Sequence, residues 1–533
     1  MTQTHLPFNT DHRLPITDYL ITDHLITDYL LLCSPLSPGF FYPSHKPLPL
    51  RQIFEVKKGI VNFSHELAVN PVFQTAAEAA RETGVEAYVV GGFVRDLILH
   101  RPNKDIDFVC VGSGIHWAHK VAEKLGGLQV TVFKNFGTAM IRYGDYELEF
   151  VGARKESYRQ DSRKPTVEDG TLEDDQKRRD FTINALAISL NDGNYGELID
   201  PFGGVNDLNE KMIKTPLEPD LTFSDDPLRM MRAIRFASQL SFDIEPNTFE
   251  SIMKNVERLK IVSMERTIEE VNKIILSPVP SYGFKLLFHS GLLKQFFPEM
   301  VALQGVEYID NRAHKDNFYH TLQVLDNVSV MSYDLWLRWA AILHDIAKPL
   351  TKRFEPGHGW TFHGHEDKGA RMVPALFKRL KLPLNEKMLF VQKLVRLHLR
   401  PIVLAYDVTD SAVRRLLFEA GDDADALMKL CRADITSKNA EKVSKYLKNF
   451  ERVEHKMIEV EKKDHVRNFQ PPVTGDEIIR MLNLPPGPII GEIKEEIKEA
   501  ILDGEIRNDR AEALALLTSI ARKKGILKSE LNP

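Results

Sequence analysis

The stretch AYVVGGFVRDLILHRPNKDIDFV, residues 87–109, decides how the rest of the chain is read. Its apolar start predicts a strand over 87–90, Gly91 and Gly92 a turn, 93–100 a helix, and DIDFV a second strand carrying Asp105 and Asp107. Two glycines at a strand end let backbone amides approach an anion, and the helix behind them aims its positive dipole end at the same spot, which makes a phosphate seat. Side chains two apart on a strand share a face, so Asp105 and Asp107 project together while Ile106 and Phe108 turn into the core. Carboxylates held side by side repel unless cations lie between them, and Mg²⁺ with oxygen ligands suits the pair. Taken alone, Gly-Gly is a turn and Asp-X-Asp a solvated face; together they imply phosphoryl or nucleotidyl transfer.

Working outward, the 533 residues leave room for several domains, and 43% hydrophobic with 27% charged residues is globular composition. Apolar runs are broken by Asp, Lys or Pro well before the ~20 residues a bilayer demands, so no membrane span is expected. Three separated cysteines, Cys33, Cys110 and Cys431, make neither a disulfide framework nor a zinc knuckle and suit a reducing cytoplasm. A net charge of −5 gives no global case for nucleic acid, so RNA binding rests on local basic patches at 177–179, 378–381 and 522–524. Residues 1–50 stand apart, with ITDYL, ITDHL and ITDYL repeated in tandem over 16–30 and a Pro-rich stretch after them. A period of five matches neither helix nor strand, and Asp18, Asp23 and Asp28 interrupt any signal-peptide core, so this segment is expected to lie outside the fold.

GGFVRD (91–96) followed by DIDF (105–108) resembles the signature of the tRNA nucleotidyltransferase and poly(A) polymerase family, class II of the polymerase-β-like nucleotidyltransferases. Further along, a helix over 115–125 and strands over 128–133, 138–143 and 146–151 follow, the last placing Glu147 and Glu149 on one face, with Glu149 the candidate third carboxylate. Residues 153–175 are polar without apolar periodicity and read as a mobile loop. RRDFTINALAI (178–188) resembles the family's second motif, which implies that Arg179, Asp180 and Asn184 face the triphosphate and ribose; a capped core helix starting near Asp180 would explain Phe181 and Leu186 but not the arginine pair. In SDDPLRMMRAIRFA (224–237), Asp226 is placed to cap a helix with Pro227 at its first position, and Arg229 follows on the same face. The bland reading is a cap beside a surface arginine. By resemblance it is the family's nucleotide-selecting element, with Asp225 where many members carry Glu. An acceptor beside a fork of donors pairs with the edges of cytosine and adenine and leaves guanine and uracil unpaired. Ser263, Glu265 and Arg266 resemble the family's neck, and a capped surface helix explains them equally well.

A second constellation begins near 305. Scattered histidines on helices are usually satisfied core residues, but His344-Asp345 with flanking His320, His365 and His398 and a distant Asp434 resembles the HD phosphohydrolase superfamily. That resemblance implies one divalent metal on His320, His344, Asp345 and Asp434, and a second on His365 and His398 in binuclear members; Mn, Ni, Fe or Zn suits such imidazole and carboxylate ligands.

The expected class is thus α+β: a low-complexity extension at 1–50, a polymerase-β-like nucleotidyltransferase head at 51–205, an all-helical neck and body at 206–304, an HD domain at 305–455 and a helical tail at 456–533. The resemblance implies a cytoplasmic enzyme that adds CCA to the 3′ end of tRNA from CTP and ATP. Mg²⁺ would sit on Asp105 and Asp107, with Gly91, Gly92, Arg95, Arg179, Asp180, Asn184, Asp226 and Arg229 binding the nucleotide. Two alternatives stand beside it: a poly(A) polymerase or A-adding enzyme of the same family, and a metal-dependent phosphohydrolase whose head only binds nucleotide or RNA.

Overall fold

The computed structural model describes residues 61–134, 137–159, 162–309, 312–313, 316–404, 408–436, 439–467 and 469–527. The repeat-bearing segment 1–50 lies outside them. The head is a seven-stranded mixed sheet made of β1 (Glu86–Val90), β2 (Asp105–Val111), β3 (Val130–Phe133), β4 (Thr138–Tyr143), β5 (Tyr146–Gly152), β8 (Ala187–Ser189) and β9 (Leu198–Ile199), in the order β3-β4-β5-β2-β1-β8-β9. Only β2 and β5 run parallel; every other neighbouring pair is antiparallel. One face is covered by α1 (Pro71–Thr83) and α3 (Gly114–Lys124), and α2 (Gly92–Ile98) leads from β1 back to β2.

Alternation along β2 sets the two faces apart. Phe108 stacks on Phe150 of β5 with ring centroids 4.8 Å apart, and Trp117 of α3 meets both edge-on. These rings are fully buried, and the Trp117 indole donates to the Ala76 carbonyl at 3.0 Å, so its polar edge is satisfied as well. Asp105 and Asp107, one step out of phase, are left on the open face.

Residues 153–175 do not form the expected loop. The chain makes an antiparallel hairpin of β6 (Arg154–Arg159) and β7 (Ser162–Asp169), then the short helix α4 (Leu172–Lys177), which opens with a capping box between Thr171 and Asp174. A two-stranded hairpin outside the main sheet draws its order from backbone hydrogen bonds, so its sequence carries no apolar alternation to read. Most of the basic patches are also spoken for: Lys177 pairs with Glu173, Arg379 with Glu299, and Lys524 with Glu492 and Glu496.

Beyond the head the chain is mainly helical, not all-helical as expected for the neck and body: 212–213 pair with 243–244, and two more two-stranded pieces join 308–309 to 312–313 and 353–355 to 359–361. α5 (Leu228–Leu240) and α6 (Met264–Ile275) pack together as the neck, and α7 (Asn317–Met331), α8 (Leu335–Leu343), α9 (His365–Arg379), α10 (Glu386–Leu397) and α11 (Ala424–Ala433) build the next bundle. In the tail, Ile493, Ile497, Ala500 and Ile501 are buried along Pro488–Asp503, the packing stripe that their spacing predicts. Among the described residues no helix is long and apolar enough to cross a membrane.

Neck and bundle are joined by Arg338, only 1% exposed. Its guanidinium donates to the carbonyls of Ile275 (2.7 Å) and Ser277 (3.2 Å) around the end of α6, and to those of Ser329 (3.1 Å) and Ser332 (3.0 Å) around the end of α7. The last carbonyls of a helix have no partner within it and carry the negative end of its dipole, so one cation closes both ends at once. Replacing Arg338 with Met keeps the bulk and removes the donors. We expect a loss of about 2–4 kcal/mol, read as a fall of several degrees in melting temperature by scanning calorimetry.

Candidate functional site

The open face of the head sheet forms the wall of a cavity of about 640 Å³. Gly91, Gly92, Arg95, Asp105, Asp107, Arg179, Asp180 and Asn184, eight of the residues singled out from sequence, line it, and Glu149 joins them. Register explains the carboxylates: Asp105 lies beside Glu147 and Asp107 beside Glu149 across the parallel β2–β5 pair. Glu147 is tied to Arg142 at 2.7 Å. Burial and then the charge of Asp107 push the Glu149 carboxyl up; Asp107 is likewise pushed up by burial, against the opposing pull of Arg179. A hard divalent cation relieves the repulsion among neighbouring carboxylates, so Asp105, Asp107 and Glu149 are chemically suited to Mg²⁺.

The glycine turn works differently from its sequence reading. Gly91 uses its amide on the Leu186 carbonyl at 3.1 Å, so that N–H is not available to a phosphate. What the position requires is the absence of a side chain. Its φ is +75°, and a Cβ there would stand 2.9 Å from Arg179 Nη1 and 3.2 Å from Asp107 Oδ2.

Around this turn runs a continuous polar chain. The Asn103 side chain accepts from the Asp105 amide (2.9 Å) and donates to Asp96 (2.7 Å). Asp96 takes two bonds from Arg95, at 3.0 and 2.8 Å. Arg95 Nη1 donates to Asn184 (2.7 Å), Asn184 to Asp180 (3.0 Å), and Arg232 on α5 to the other oxygen of Asp180 (2.7 Å). Burial alone would raise the Asp180 carboxyl, but Arg232 and Asn184 outweigh it and hold the group down to about 2. Arg179 is bound twice by Asp175, at 3.0 and 2.9 Å, and Arg178 is held by the same carboxylate. The arginine pair at 178–179 therefore has a buried structural partner that sequence reading overlooked in an acid-rich segment.

Arg232, Arg235, Phe236 and Lys273 of the neck also line the cavity, and none was picked out from sequence. The Phe236 ring has the guanidinium carbons of Arg235, Arg95 and Arg232 at 3.8, 5.1 and 5.4 Å, and Glu270 of α6 binds Arg235. Their signal was available: Arg229, Arg232 and Arg235 recur every third residue along one helix. Asp226 and Arg229 are not among the residues lining this cavity. Helix α5 starts one residue later than expected, with Asp226 accepting from the Leu228 amide at 3.1 Å. Arg229 donates to the carbonyls of Arg178 (2.5 Å) and Thr222 (3.4 Å), so its donors do not stand as a free fork beside Asp226.

The second constellation assembles from five helices. His320 lies in α7, His344, His398 and Asp434 follow the last residues of α8, α10 and α11, and His365 opens α9. Asp345 stands at the centre, with Oδ2 3.4 Å from His320 Nε2 and 3.2 Å from His344 Nε2, and Oδ1 3.2 Å from His365 Nε2 and 3.9 Å from His398 Nε2. Asp434 Oδ1 reaches His320 at 2.9 Å and His344 at 3.6 Å. Two ligand groups therefore share one carboxylate, His320-His344-Asp345 and Asp345-His365-His398.

Protonation follows from the surroundings. The Nδ1 atoms of His344, His365 and His398 meet the carbonyls of Ala341, Phe362 and Val395 at 2.7, 2.8 and 2.7 Å. A carbonyl only accepts, so each Nδ1 carries the proton and each Nε2 lone pair points inward. Those three Nε2 atoms are buried without a hydrogen-bond partner, as suits a set of metal ligands, while Asp345 Oδ2 is also 2.6 Å from Lys348 Nζ.

Comparison with known proteins covers both constellations. The family described as Poly A polymerase head domain matches residues 87–214, that described as probable RNA and SrmB-binding site of polymerase A matches 241–303, and the HD domain family matches 317–439. A protein of Deinococcus radiodurans named A-adding tRNA nucleotidyltransferase is 30% identical over 443 residues, which is 79% of this chain and 92% of that one. The Multifunctional CCA protein of Nitrosococcus oceani is 35% identical over 318 residues, 58% of this chain and 73% of its own length. Among solved structures, the Bacillus stearothermophilus CCA-adding enzyme in complex with CTP matches with a TM-score of 0.59 at 25% identity, over 86% of this chain and 99% of that one.

Gly91→Ala puts a methyl group where Arg179 and Asp107 meet and forces alanine to a positive φ, at a cost of about 1–2 kcal/mol. We expect nucleotide incorporation, measured as kcat/KM, to fall about tenfold or more while the melting temperature drops by only a few degrees.

Proposed function

Because this chain belongs to the family of tRNA nucleotidyltransferases and poly(A) polymerases, we propose that it adds C, C and A to the 3′ end of tRNA from CTP and ATP, without a template, in the cytoplasm. The observation that carries the proposal is Asp105 and Asp107 side by side on the wall of a cavity whose far side is lined by the neck arginines. Mg²⁺ bound by these carboxylates, with Glu149 beside them, would supply charge stabilisation to the attacking hydroxyl and the leaving pyrophosphate. The chain's own residues do the positioning. Arg95, Arg179 and Arg232 are fixed by Asp96, Asp175 and Asp180 before substrate arrives, so little reorganisation is left for the reaction itself. Asp180 and Asn184 serve the sugar hydroxyls, while Asp226 and Arg229 read the base once Arg229 gives up its carbonyl partners.

Addition of A alone is the second reading, and the Deinococcus relative's name, over 79% of this chain, favours it. Both readings use the same two aspartates. Incubating the protein with tRNA ending before CCA, with CTP plus ATP, and in parallel tRNA ending in CC with ATP alone, separates them. A three-nucleotide product on the first substrate supports CCA addition; growth only on the second supports A addition. Asp107→Ala is expected to lower either activity by several powers of ten with the melting temperature retained.

For the histidine cluster we propose a binuclear site for Mn, Ni, Fe or Zn on His320, His344, Asp345, Asp434, His365 and His398, with phosphoester hydrolysis as its activity. The inward Nε2 atoms support it, and a bound metal would supply Lewis-acid activation of water. Elemental analysis of the purified protein should find transition metal that Asp345→Ala loses. Hydrolysis of bis(p-nitrophenyl) phosphate should disappear in the same variant while nucleotide addition persists; equal metal content in both proteins refutes the site.

A further inference from the structure

Asp175 is fully buried, and it is not among the residues lining the nucleotide cavity. Its two oxygens are divided between two cations: Oδ1 accepts from Arg178, and Oδ2 from Nε and Nη2 of Arg179 at 3.0 and 2.9 Å. The remaining nitrogen of Arg179, Nη1, lies over Gly91, 3.4 Å from the Asn184 carbonyl. Asp107 Oδ2 approaches the same glycine from the other side. Arginine and aspartate thus face each other across a residue with no side chain. A guanidinium carries five N–H donors on two usable edges, so a carboxylate that takes one edge fixes where the group lies and which way its other edge faces. Asp175 takes the Nε–Nη2 edge of Arg179, and the guanidinium anchored there has Asp175, not Asp107, as its ion-pair partner.

We propose that Asp175 is a positioning residue for the cation site: it holds Arg179 back from Asp107, so that Asp107 remains open to a divalent cation instead of being closed by an internal ion pair. This rests on the reading of Asp105 and Asp107 as the cation ligands. Without Asp175, Arg179 is a buried cation whose nearest replacement partner is Asp107, and a pair formed there competes directly with Mg²⁺. Arg179 itself keeps its place at the cavity, where its free face is directed at the nucleotide.

The test follows Mn²⁺ binding to the full chain by electron paramagnetic resonance, with Asp107→Ala defining the share that belongs to this site. Asp175→Asn is expected to weaken that share about tenfold or more, and Asp175→Asn combined with Arg179→Gln to return it to within about twofold of Arg179→Gln alone, because the competitor has been removed. Loss of a structural support alone would leave the double variant as weak as Asp175→Asn, and that result overturns the proposal. Wild-type Mn²⁺ binding by Asp175→Asn overturns it as well. If Asp107→Ala itself loses no Mn²⁺, the cation-site reading fails first and the proposal with it. Circular dichroism checks folding of each variant; should Asp175→Asn not fold, Asp175→Glu, with the charge displaced by one methylene, enters the same comparison with Arg179→Gln.

Discussion

A single line of alternating charge holds the head to the neck. It starts at the Asp105 amide and passes through Asn103, Asp96, Arg95, Asn184 and Asp180 to Arg232 on α5. Each of its buried charges is costly to desolvate and tolerable only when its partners are in place, so the line is satisfied as a whole or not at all. That constraint fixes the cavity: the strand with the carboxylate pair, the turn at Gly91 and the arginine-bearing neck helix are registered to one another by the same bonds. Phe236, with three guanidinium groups about its ring, packs edge-on against Phe181 beside this line.

The two constellations divide along donor chemistry. In the head the groups offered to a cation are carboxylate oxygens on adjacent strands, open on one side, as suits an ion that keeps water and shares a substrate's phosphates. In the helical bundle they are imidazole nitrogens converging from helix ends around one shared aspartate. Helix ends are apt places for such ligands. The carbonyl three residues back in the last turn has no helical partner, and at His344 and His398 it takes the Nδ1 proton and so fixes which nitrogen faces inward. Asp345 pulls the His344 imidazole up against the opposing effect of burial, whereas burial holds His398 down to about 4.

How much of this was legible in the sequence depended on whether a residue's role showed in its neighbours. Asp105 and Asp107 could be found because strand alternation alone puts them on one face. The histidines could be found because His344-Asp345 with flanking histidines and a distant aspartate resembles a known superfamily, although nothing in their spacing says that helix ends bring His320 and Asp434 to 2.9 Å. Arg232, Arg235 and Phe236 escaped notice because basic residues every third position on an amphipathic helix look like a solvated face; only the head sheet laid against that helix makes them a wall. Asp175 was hidden among Glu173 and Asp174, and the hairpin before it has no apolar period to detect. Gly91 was located correctly but for a different reason, since its amide is used internally and its value lies in having no side chain.

Arg338 bears on how the molecule comes apart. The carbonyls it binds belong to the end of a neck helix on one side and to a helix of the histidine-bearing bundle on the other. Unfolding the bundle alone would strand the carbonyls of Ile275 and Ser277, and unfolding the neck alone would leave a buried cation without half its acceptors. Arg338 therefore couples the stability of the neck to that of the bundle across the boundary expected near residue 305. A chain cut there leaves the last carbonyls of its neck helix without the arginine that closes them.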